Sequence, residues 1–214
     1  HALSANQDFS EVSQSGIKAS TASSGYKILS EKVVYERWRK VIQRKVLMPK
    51  GLVVDYDVVD QKGAGAAIIF AWDSSTKTAT IVREYNPGCH QVLGGLAAGL
   101  IEDDKHGSDP LIAARHELEE ECHLGGGTWY QLTKPGVAIA MDKYVQTRVT
   151  PYLVIDAHKI DNPRPLDEEE DIEIVGGVTV DEIKNMIESG DMNLVGSWAS
   201  LLALQKLKEL GEIQ

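Results

Sequence analysis

Residues 113–121 read Ala-Ala-Arg-His-Glu-Leu-Glu-Glu-Glu. On a helix, Glu117, Glu120 and Glu121 are separated by three and four positions, so their carboxylates share one face. Like charges at this spacing repel each other, and they lie near the C-terminal end of the helix, where the backbone dipole is negative. A divalent cation held by oxygen ligands would relieve the repulsion. The stretch therefore indicates a metal-dependent enzyme acting on phosphates, although an isolated glutamate run is more often a solvated helix face.

The composition fits one globular domain, or one domain with an arm. The chain has 214 residues, of which 43% are hydrophobic, and this share is enough for a core. The formal net charge is −10, and an acidic chain binds nucleic acid poorly because phosphate affinity comes mainly from Lys and Arg. We therefore expect no nucleic-acid partner, and a phosphate substrate would require a metal or a few well-placed cations.

The cysteines and the hydropathy bear on the compartment. Cys89 and Cys122 form neither a disulfide framework nor a zinc motif, which favours a reducing compartment, cytoplasmic or organellar. No apolar run reaches membrane-spanning length, so we expect no membrane partner. The chain begins at His1, and we expect that the native N-terminus has been removed, together with any targeting peptide.

The composition changes along the chain and predicts three regions. Residues 1–25 are rich in Ser, Ala, Gln and Thr without apolar periodicity, which predicts a flexible arm. Residues 26–62 form an N-terminal strand region and a candidate dimerisation element, although the pattern over 26–47 does not decide between strand and helix. Residues 63–214 are predicted to form the main domain.

The main domain combines strands with a central and a terminal set of helices. Asp109-Pro110 is a helix start, and Gly125-Gly126-Gly127 ends a helix that runs to about His123. Strands are predicted at 51–59, 64–72, 78–84, 149–156 and 173–180, and further helices at 181–188 and 193–210. This order predicts an α/β or α+β fold with mixed sheets sandwiched between helices.

Two segments together resemble the Nudix box. Residues 98–104 read Ala-Gly-Leu-Ile-Glu-Asp-Asp, and after a loop His116-Glu117-Leu118 is followed by Glu120-Glu121. The family pattern is G-x5-E-x7-R-E-U-x-E-E-x-G-U, where U is a bulky aliphatic residue. The resemblance implies the α/β/α Nudix fold and hydrolysis of a nucleoside diphosphate linked to another group, with Mg²⁺ or Mn²⁺ as cofactor.

The match departs from the family pattern in three places. His116 stands where the family has arginine, and His123 stands where it has glycine. The loop after Gly99 is longer than in the pattern, so the first glutamate corresponds to Glu102, or to Asp103 or Asp104. Histidine is a shorter and often neutral partner for the carboxylates, which implies activity that is weakened, pH-dependent or lost.

Further segments resemble the ADP-ribose pyrophosphatases of this family. They are residues 83–88, 135–136, 167–174, 181–183 and 190–193. This likeness implies hydrolysis of ADP-ribose or an ADP-sugar to a nucleoside monophosphate and a sugar phosphate. Members of the group are commonly homodimers, so we expect a homodimer in which the basic segment 37–45 lies near the other subunit's site.

The resemblance also implies the roles of individual residues. The metal ligands would be Glu117 and Glu121, assisted by Glu120 and the Ala98 carbonyl. Glu168 or Glu170, on the acidic run 167–171, would take the proton from the attacking water, and Glu120 completes the catalytic set. A solvated loop is an equally good interpretation of that run.

Substrate contacts are assigned to one arginine and to aromatic residues. Arg83 is the candidate for the phosphate oxygens, although a strand-end surface arginine is an equally good interpretation. Trp38 and Tyr85 are candidates for stacking on the base, with Tyr144 as a third, and packing is the competing interpretation for each.

Two other functions stay open at this stage. One is a Nudix-fold nucleotide-binding or regulatory module with weakened catalysis, for which His116 and His123 are the evidence. The retention of three crowded carboxylates argues against it. The other is a structural α/β domain with a solvated acidic helix.

Overall fold

A computed structural model describes residues 25–61, 63, 65–102, 109–166 and 170–214. The chain divides between Val59 and Asp60 into two compact units. In the described residues, no helix is long and apolar enough to cross a membrane.

The first unit contains a three-stranded sheet in the order β1-β2-β3. Its strands are β1 (Lys27–Glu36), β2 (Arg39–Leu47) and β3 (Val53–Gln61), and the end of β3 passes into the second unit. Strands β1 and β2 form an antiparallel hairpin over the stretch where the sequence pattern was undecided. Every residue of β1 is exposed, so no buried face imposes a period of two on its sequence.

The second unit is built on an eight-stranded mixed sheet. Its main path runs β10-β11-β4-β5-β13, with β6 paired to β5, β7 to β4 and β9 to β11. The strands of this sheet are β4 (Ala66–Asp73), β5 (Thr78–Asn86), β6 (Gln91–Gly95), β7 (Ala97–Leu100), β9 (Thr128–Gln131), β10 (Ile139–Ala140), β11 (Arg148–Ile155) and β13 (Ile172–Val178). A separate two-stranded sheet pairs β8 (Leu124–Gly125) with β12 (His158–Lys159).

Three helices lie in the described part of this unit: α1 (Pro110–Cys122), α2 (Val180–Ser189) and α3 (Leu194–Glu209). Each begins at a side-chain cap, as the sequence indicates. The Asp109 carboxylate accepts a hydrogen bond from the N–H of Leu111 at 2.9 Å. Thr179 and Glu182 form a reciprocal capping box at the start of α2.

Two apolar clusters cover the two faces of the sheet. On one face, Ala114, Leu118 and Cys122 of α1 pack on strand residues that include Ile69 and Val82. On the other face, residues of α2 and α3 pack on strand residues; among the buried members are Phe70, Ile81, Ile183, Ala199, Ala203 and Leu207. The sheet is therefore sandwiched between helices, which confirms the predicted α/β/α architecture.

Strands β4 and β5 pair only along part of their length, and this opens the sheet. They are paired at Ala71–Asp73 with Thr78–Thr80. Beyond that point β4 pairs with β7 and β5 pairs with β6. The divergence leaves a space between the two strands, and the Gly94-Gly95 segment, Ala98 and Gly99 lie around it.

The glycines of β6 permit close packing of the turn between α2 and α3. A Cβ at Gly94 would lie 3.2 Å from the Asp191 carbonyl oxygen, and one at Gly95 would lie 2.8 Å from the Asn193 amide nitrogen. The Gly94 N–H donates to the Asp191 carbonyl at 2.7 Å. The structure therefore gives this glycine pair a packing role.

Candidate active site

Glu121 is a buried carboxylate on the inner face of α1. The residue is 5% exposed, and its Oε2 accepts a hydrogen bond from the Ala98 N–H at 2.9 Å. Burial, and then the negative charge of Glu117, raise the pKa of Glu121 to about 9, with smaller contributions from Glu170 and Glu84. The hydrogen bond from Ala98 lowers this pKa but does not offset the other effects.

Glu117, one turn earlier on α1, lies against the backbone of Gly99. A Cβ built on Gly99 would lie 1.9 Å from Oε1 of Glu117 and 2.1 Å from its Cδ. Any residue other than glycine would therefore displace this carboxylate. The glycine of the Nudix-like segment thus makes room for the first glutamate of the helix.

A further carboxylate, Glu84, comes from the end of β5. Because side chains alternate along a strand, Glu84 shares the α1 face with Val82, which packs in the cluster under α1. Burial raises the pKa of Glu84, and its charge raises the pKa of Glu121. Strand β5 therefore adds a carboxylate to the two on α1.

A cavity of about 380 Å³ opens beside these groups in the space between β4 and β5. Glu84 and Glu121 lie at its acidic end, next to Ala98 and Gly99. Its remaining walls come from Gln61, the strands β4 to β7 and β11, the segment around Met141 and the start of α3. The cavity is large enough for a small-molecule substrate.

These groups are chemically suited to a hard divalent cation. The donors are carboxylate oxygens, which Mg²⁺ and Mn²⁺ prefer. Burial and the charge of Glu117 raise the pKa of Glu121, so a cation bound beside these groups would favour the ionised carboxylate. Within the described residues, no three carboxylate, imidazole or thiol groups stand close enough together to hold an ion as they are. The carboxylate oxygens suit such a cation chemically. To bind it, these side chains would have to move closer together.

The fold of the chain matches that of a known hydrolase. A crystal structure described as an ADP compounds hydrolase superimposes with a TM-score of 0.72 and 21% sequence identity. The match covers 91% of this chain and 100% of the other. The chain has the Nudix hydrolase fold. No protein-family model and no curated protein matches the sequence.

Within this Nudix fold, His123 stands where the family pattern has glycine, and it keeps the backbone conformation expected for that glycine. His123 is the residue after α1 and has φ 56° and ψ 32°, which is the left-handed conformation that glycine adopts most easily. Its N–H donates to the Glu119 carbonyl at 3.0 Å. Histidine therefore ends the helix with the geometry that the family glycine would adopt, so it is no evidence of a lost site.

Two other charged residues of α1, Arg115 and Glu119, contact groups outside the carboxylate pair. The Arg115 guanidinium carbon lies 5.9 Å from the centre of the Trp129 ring, so this arginine does not replace the motif arginine. Glu119 accepts hydrogen bonds from the backbone N–H of Arg164 at 3.1 Å and from its Nε at 3.4 Å. His116 and Glu120 are partly buried.

The predicted substrate-binding residues lie apart from this cavity's lining. Arg83 and Tyr85 alternate with Glu84 and so project from the opposite face of β5. The Arg83 Nε is 3.7 Å from a carboxylate oxygen of Glu173, and the Tyr85 hydroxyl is 2.7 Å from Nδ1 of His90. Trp38, which is 71% exposed, belongs to the first unit, at the turn between β1 and β2.

The acidic residues predicted on loops are only partly described. Glu170 acts electrostatically on Glu121, so it lies near the helix carboxylates. Glu168, Asp103 and Asp104 lie outside the described residues. Glu102 is partly buried directly after the buried Ile101.

Sequence reasoning missed Glu84 because its proximity to Glu121 depends on how β5 lies under α1. One signal was present: Glu84 follows the apolar Ile81-Val82 pair by two positions at the predicted end of the strand. A carboxylate that continues the buried face of a strand marks a site more often than one on the exposed face.

Proposed function

We propose that this chain hydrolyses the pyrophosphate bond of a nucleoside diphosphate linked to a sugar, of the ADP-ribose or ADP-sugar type. The products would be a nucleoside monophosphate and a sugar phosphate. The observation that carries the proposal is the buried Glu121, crowded by Glu117 and Glu84 beside a cavity of about 380 Å³. Carboxylates in this arrangement are stable as anions only with a cation among them.

The first proposed role of the chain's own residues is to bind the divalent metal ion. Glu117 and Glu121 would hold Mg²⁺ or Mn²⁺, with Glu120 and the Ala98 carbonyl as further oxygen ligands. A divalent ion at this position neutralises diphosphate charge and lowers the pKa of water. The Ala98 N–H and the backbone of Gly99 fix the two helix carboxylates in place.

A second role is the removal of a proton from the attacking water. Glu170 is supported by its electrostatic influence on Glu121, and Glu168 is its alternative from the same loop. We expect Gln at the residue that acts as base to lower kcat by about 10²–10⁴-fold with metal affinity retained. Comparing Glu168→Gln with Glu170→Gln in rate and in Mn²⁺ binding assigns the role.

The direct test is product release from a panel of substrates with Mg²⁺ or Mn²⁺. The panel is ADP-ribose, ADP-glucose, UDP-glucose, NADH and a dinucleoside polyphosphate. We expect metal-dependent formation of a nucleoside monophosphate from an ADP-ribose-type substrate, and its loss in Glu121→Gln. Nucleotide binding without turnover of any substrate would contradict the proposal and favour the binding module instead.

Substrate contacts by Arg83, Tyr85 and Trp38 stay predictions. Alanine at a residue that contacts the substrate raises KM, whereas alanine at a surface residue leaves it unchanged. Measuring KM for Arg83→Ala, Tyr85→Ala and Trp38→Ala decides each role separately.

We also propose that the first unit mediates a homodimer. Strand β1 is an edge strand and is exposed along its whole length, and its apolar side chains include Ile28, Val33, Val34 and Tyr35. Exposed apolar edges of this kind favour association.

Light scattering after size exclusion tests the homodimer. We expect the wild type to be a dimer and Val34→Asp to be a monomer. Lys50→Asp, in the exposed turn after β2, should stay dimeric. A monomeric wild type would contradict the proposal.

A further inference from the structure

The cavity beside Glu121 borders an apolar recess of about 230 Å³, which we call the Trp198 pouch. The two share the wall residues Met141, Val149, Leu194 and Val195. The pouch adds Ile139, Ala140 and Trp198. The pouch is therefore an apolar recess directly adjacent to the cavity that holds the carboxylates.

Regular secondary structure holds the walls of the pouch. Ile139 on β10 pairs directly with Val149 on β11. Leu194, Val195 and Trp198 belong to the first turns of α3, whose start is capped by the Asn193 side chain. Trp198 is partly buried and packs against the core on this side of the sheet. A recess built on capped and paired elements is preformed rather than created on binding.

All seven lining residues of the pouch are apolar, so their side chains favour the apolar part of a sugar nucleotide over its polar parts. A sugar placed there would lose hydrogen bonds from water without gaining partners, which is unfavourable. A phosphate would lose more because it is charged. A flat aromatic ring loses little and gains stacking and apolar contact with an indole.

We propose that the Trp198 pouch binds the nucleobase of the substrate, against the indole of Trp198. The proposal rests on the proposed function for the position of the diphosphate. Of the aromatic residues that the sequence singled out, Tyr85 and Tyr144 line neither the cavity nor the pouch.

The test measures binding of two probes that cannot be hydrolysed at a pyrophosphate bond: AMP, which carries a base, and ribose 5-phosphate, which does not. Calorimetric titrations in Mg²⁺ compare the wild type with Trp198→Ala and Leu201→Ala. Leu201 is an exposed apolar residue on the same helix and does not line the pouch. We expect Trp198→Ala to weaken AMP binding by about tenfold or more and to leave ribose 5-phosphate binding unchanged. Leu201→Ala should match the wild type with both probes.

A second variant, Trp198→Phe, serves as a control in case Trp198→Ala does not fold. Trp198→Phe keeps an aromatic ring, so it should retain most of the AMP affinity while losing the fluorescence of this indole. AMP should quench the fluorescence of the wild type, and the quench should be absent in Trp198→Phe. Equal quenching in both proteins, or unchanged AMP affinity in a folded Trp198→Ala, would overturn the proposal.

The outcomes also separate this inference from the proposed function. If no substrate is hydrolysed but the AMP quench depends on Trp198, the pouch stands and the hydrolase assignment fails. If hydrolysis depends on Glu121 while KM is the same in Trp198→Ala and the wild type, the hydrolase stands and the pouch fails.

Discussion

Replacing Gly99 with alanine is expected to disable the site while the fold persists. Gly99 lies on β7 and does not have a positive φ, so alanine suits its backbone. The three atoms nearest to the added methyl group would all belong to the Glu117 carboxylate, the end of a flexible side chain. We therefore expect the free energy of unfolding to change by less than about 1 kcal/mol.

The size of the effect on activity follows from one distance. The new Cβ would lie 1.9 Å from Oε1 of Glu117, whereas non-bonded atoms approach to about 3.5 Å. The carboxylate must therefore retreat by roughly 1.5 Å from its position beside the cavity. A misplacement of about 1 Å in a catalytic group can lower the rate by roughly 10²-fold, or about 2.7 kcal/mol of transition-state stabilisation.

The assay is the initial rate of ADP-ribose hydrolysis at several Mg²⁺ concentrations, together with thermal melting. Gly176→Ala is the matched control, because a Cβ there would come no closer than 4.0 Å to Thr80. We expect Gly99→Ala to lose about 10²-fold in kcat/KM and Gly176→Ala to keep the wild-type value. If Gly99→Ala retains more than about half of kcat/KM, the assigned position of Glu117 is refuted.

Three further predictions concern α1. The pKa of Glu121 is about 9 in the folded protein, above its ordinary value of 4.5. The free energy of unfolding of the metal-free protein should therefore fall as the pH rises between these two values. At pH 7 the loss should be on the order of 3 kcal/mol. Denaturant unfolding in EDTA from pH 5 to 9 should show this slope, and Glu121→Gln or added Mg²⁺ should reduce it. His123→Gly should raise the free energy of unfolding by up to about 1 kcal/mol with activity unchanged, because it relieves a left-handed backbone; a lower melting temperature would contradict this. Arg115→Ala should change kcat/KM by less than about twofold, because its guanidinium faces Trp129; a loss of tenfold or more would show that it serves the site.

The sequence predicted the elements that are marked by a run of apolar residues or by a helix cap. The apolar run at 64–72 corresponds to β4 (Ala66–Asp73). The helix predicted to start at Asp109-Pro110 corresponds to α1 (Pro110–Cys122). Segment 26–47 stayed undecided because β1 is exposed at all ten positions, so neither face of it carries a hydrophobic period. Strand prediction from sequence depends on buried apolar residues, and β1 has no buried residue.

The site was predicted where its residues are close in sequence. Glu117 and Glu121 share a helix, so spacing alone placed them together. Glu84 and Trp198 were not singled out because β5 brings Glu84 to the cavity and α3 brings Trp198 to the pouch, and both elements lie far from the box in the chain. Arg83 was chosen for its charge and alternates with Glu84 on β5, and its contact with the substrate stays a prediction.

The central claim is that the α1 carboxylates beside Ala98 and Gly99 hold a divalent ion that hydrolysis requires. Mn²⁺ binding, followed by electron paramagnetic resonance, tests it on wild type, Glu121→Gln and Glu119→Gln. Glu119 is the matched control because it lies on the same helix but pairs with Arg164. We predict that Glu119→Gln binds Mn²⁺ and hydrolyses ADP-ribose like the wild type, and that Glu121→Gln loses both. Mn²⁺ binding or hydrolysis that persists in Glu121→Gln at the wild-type level would contradict the account.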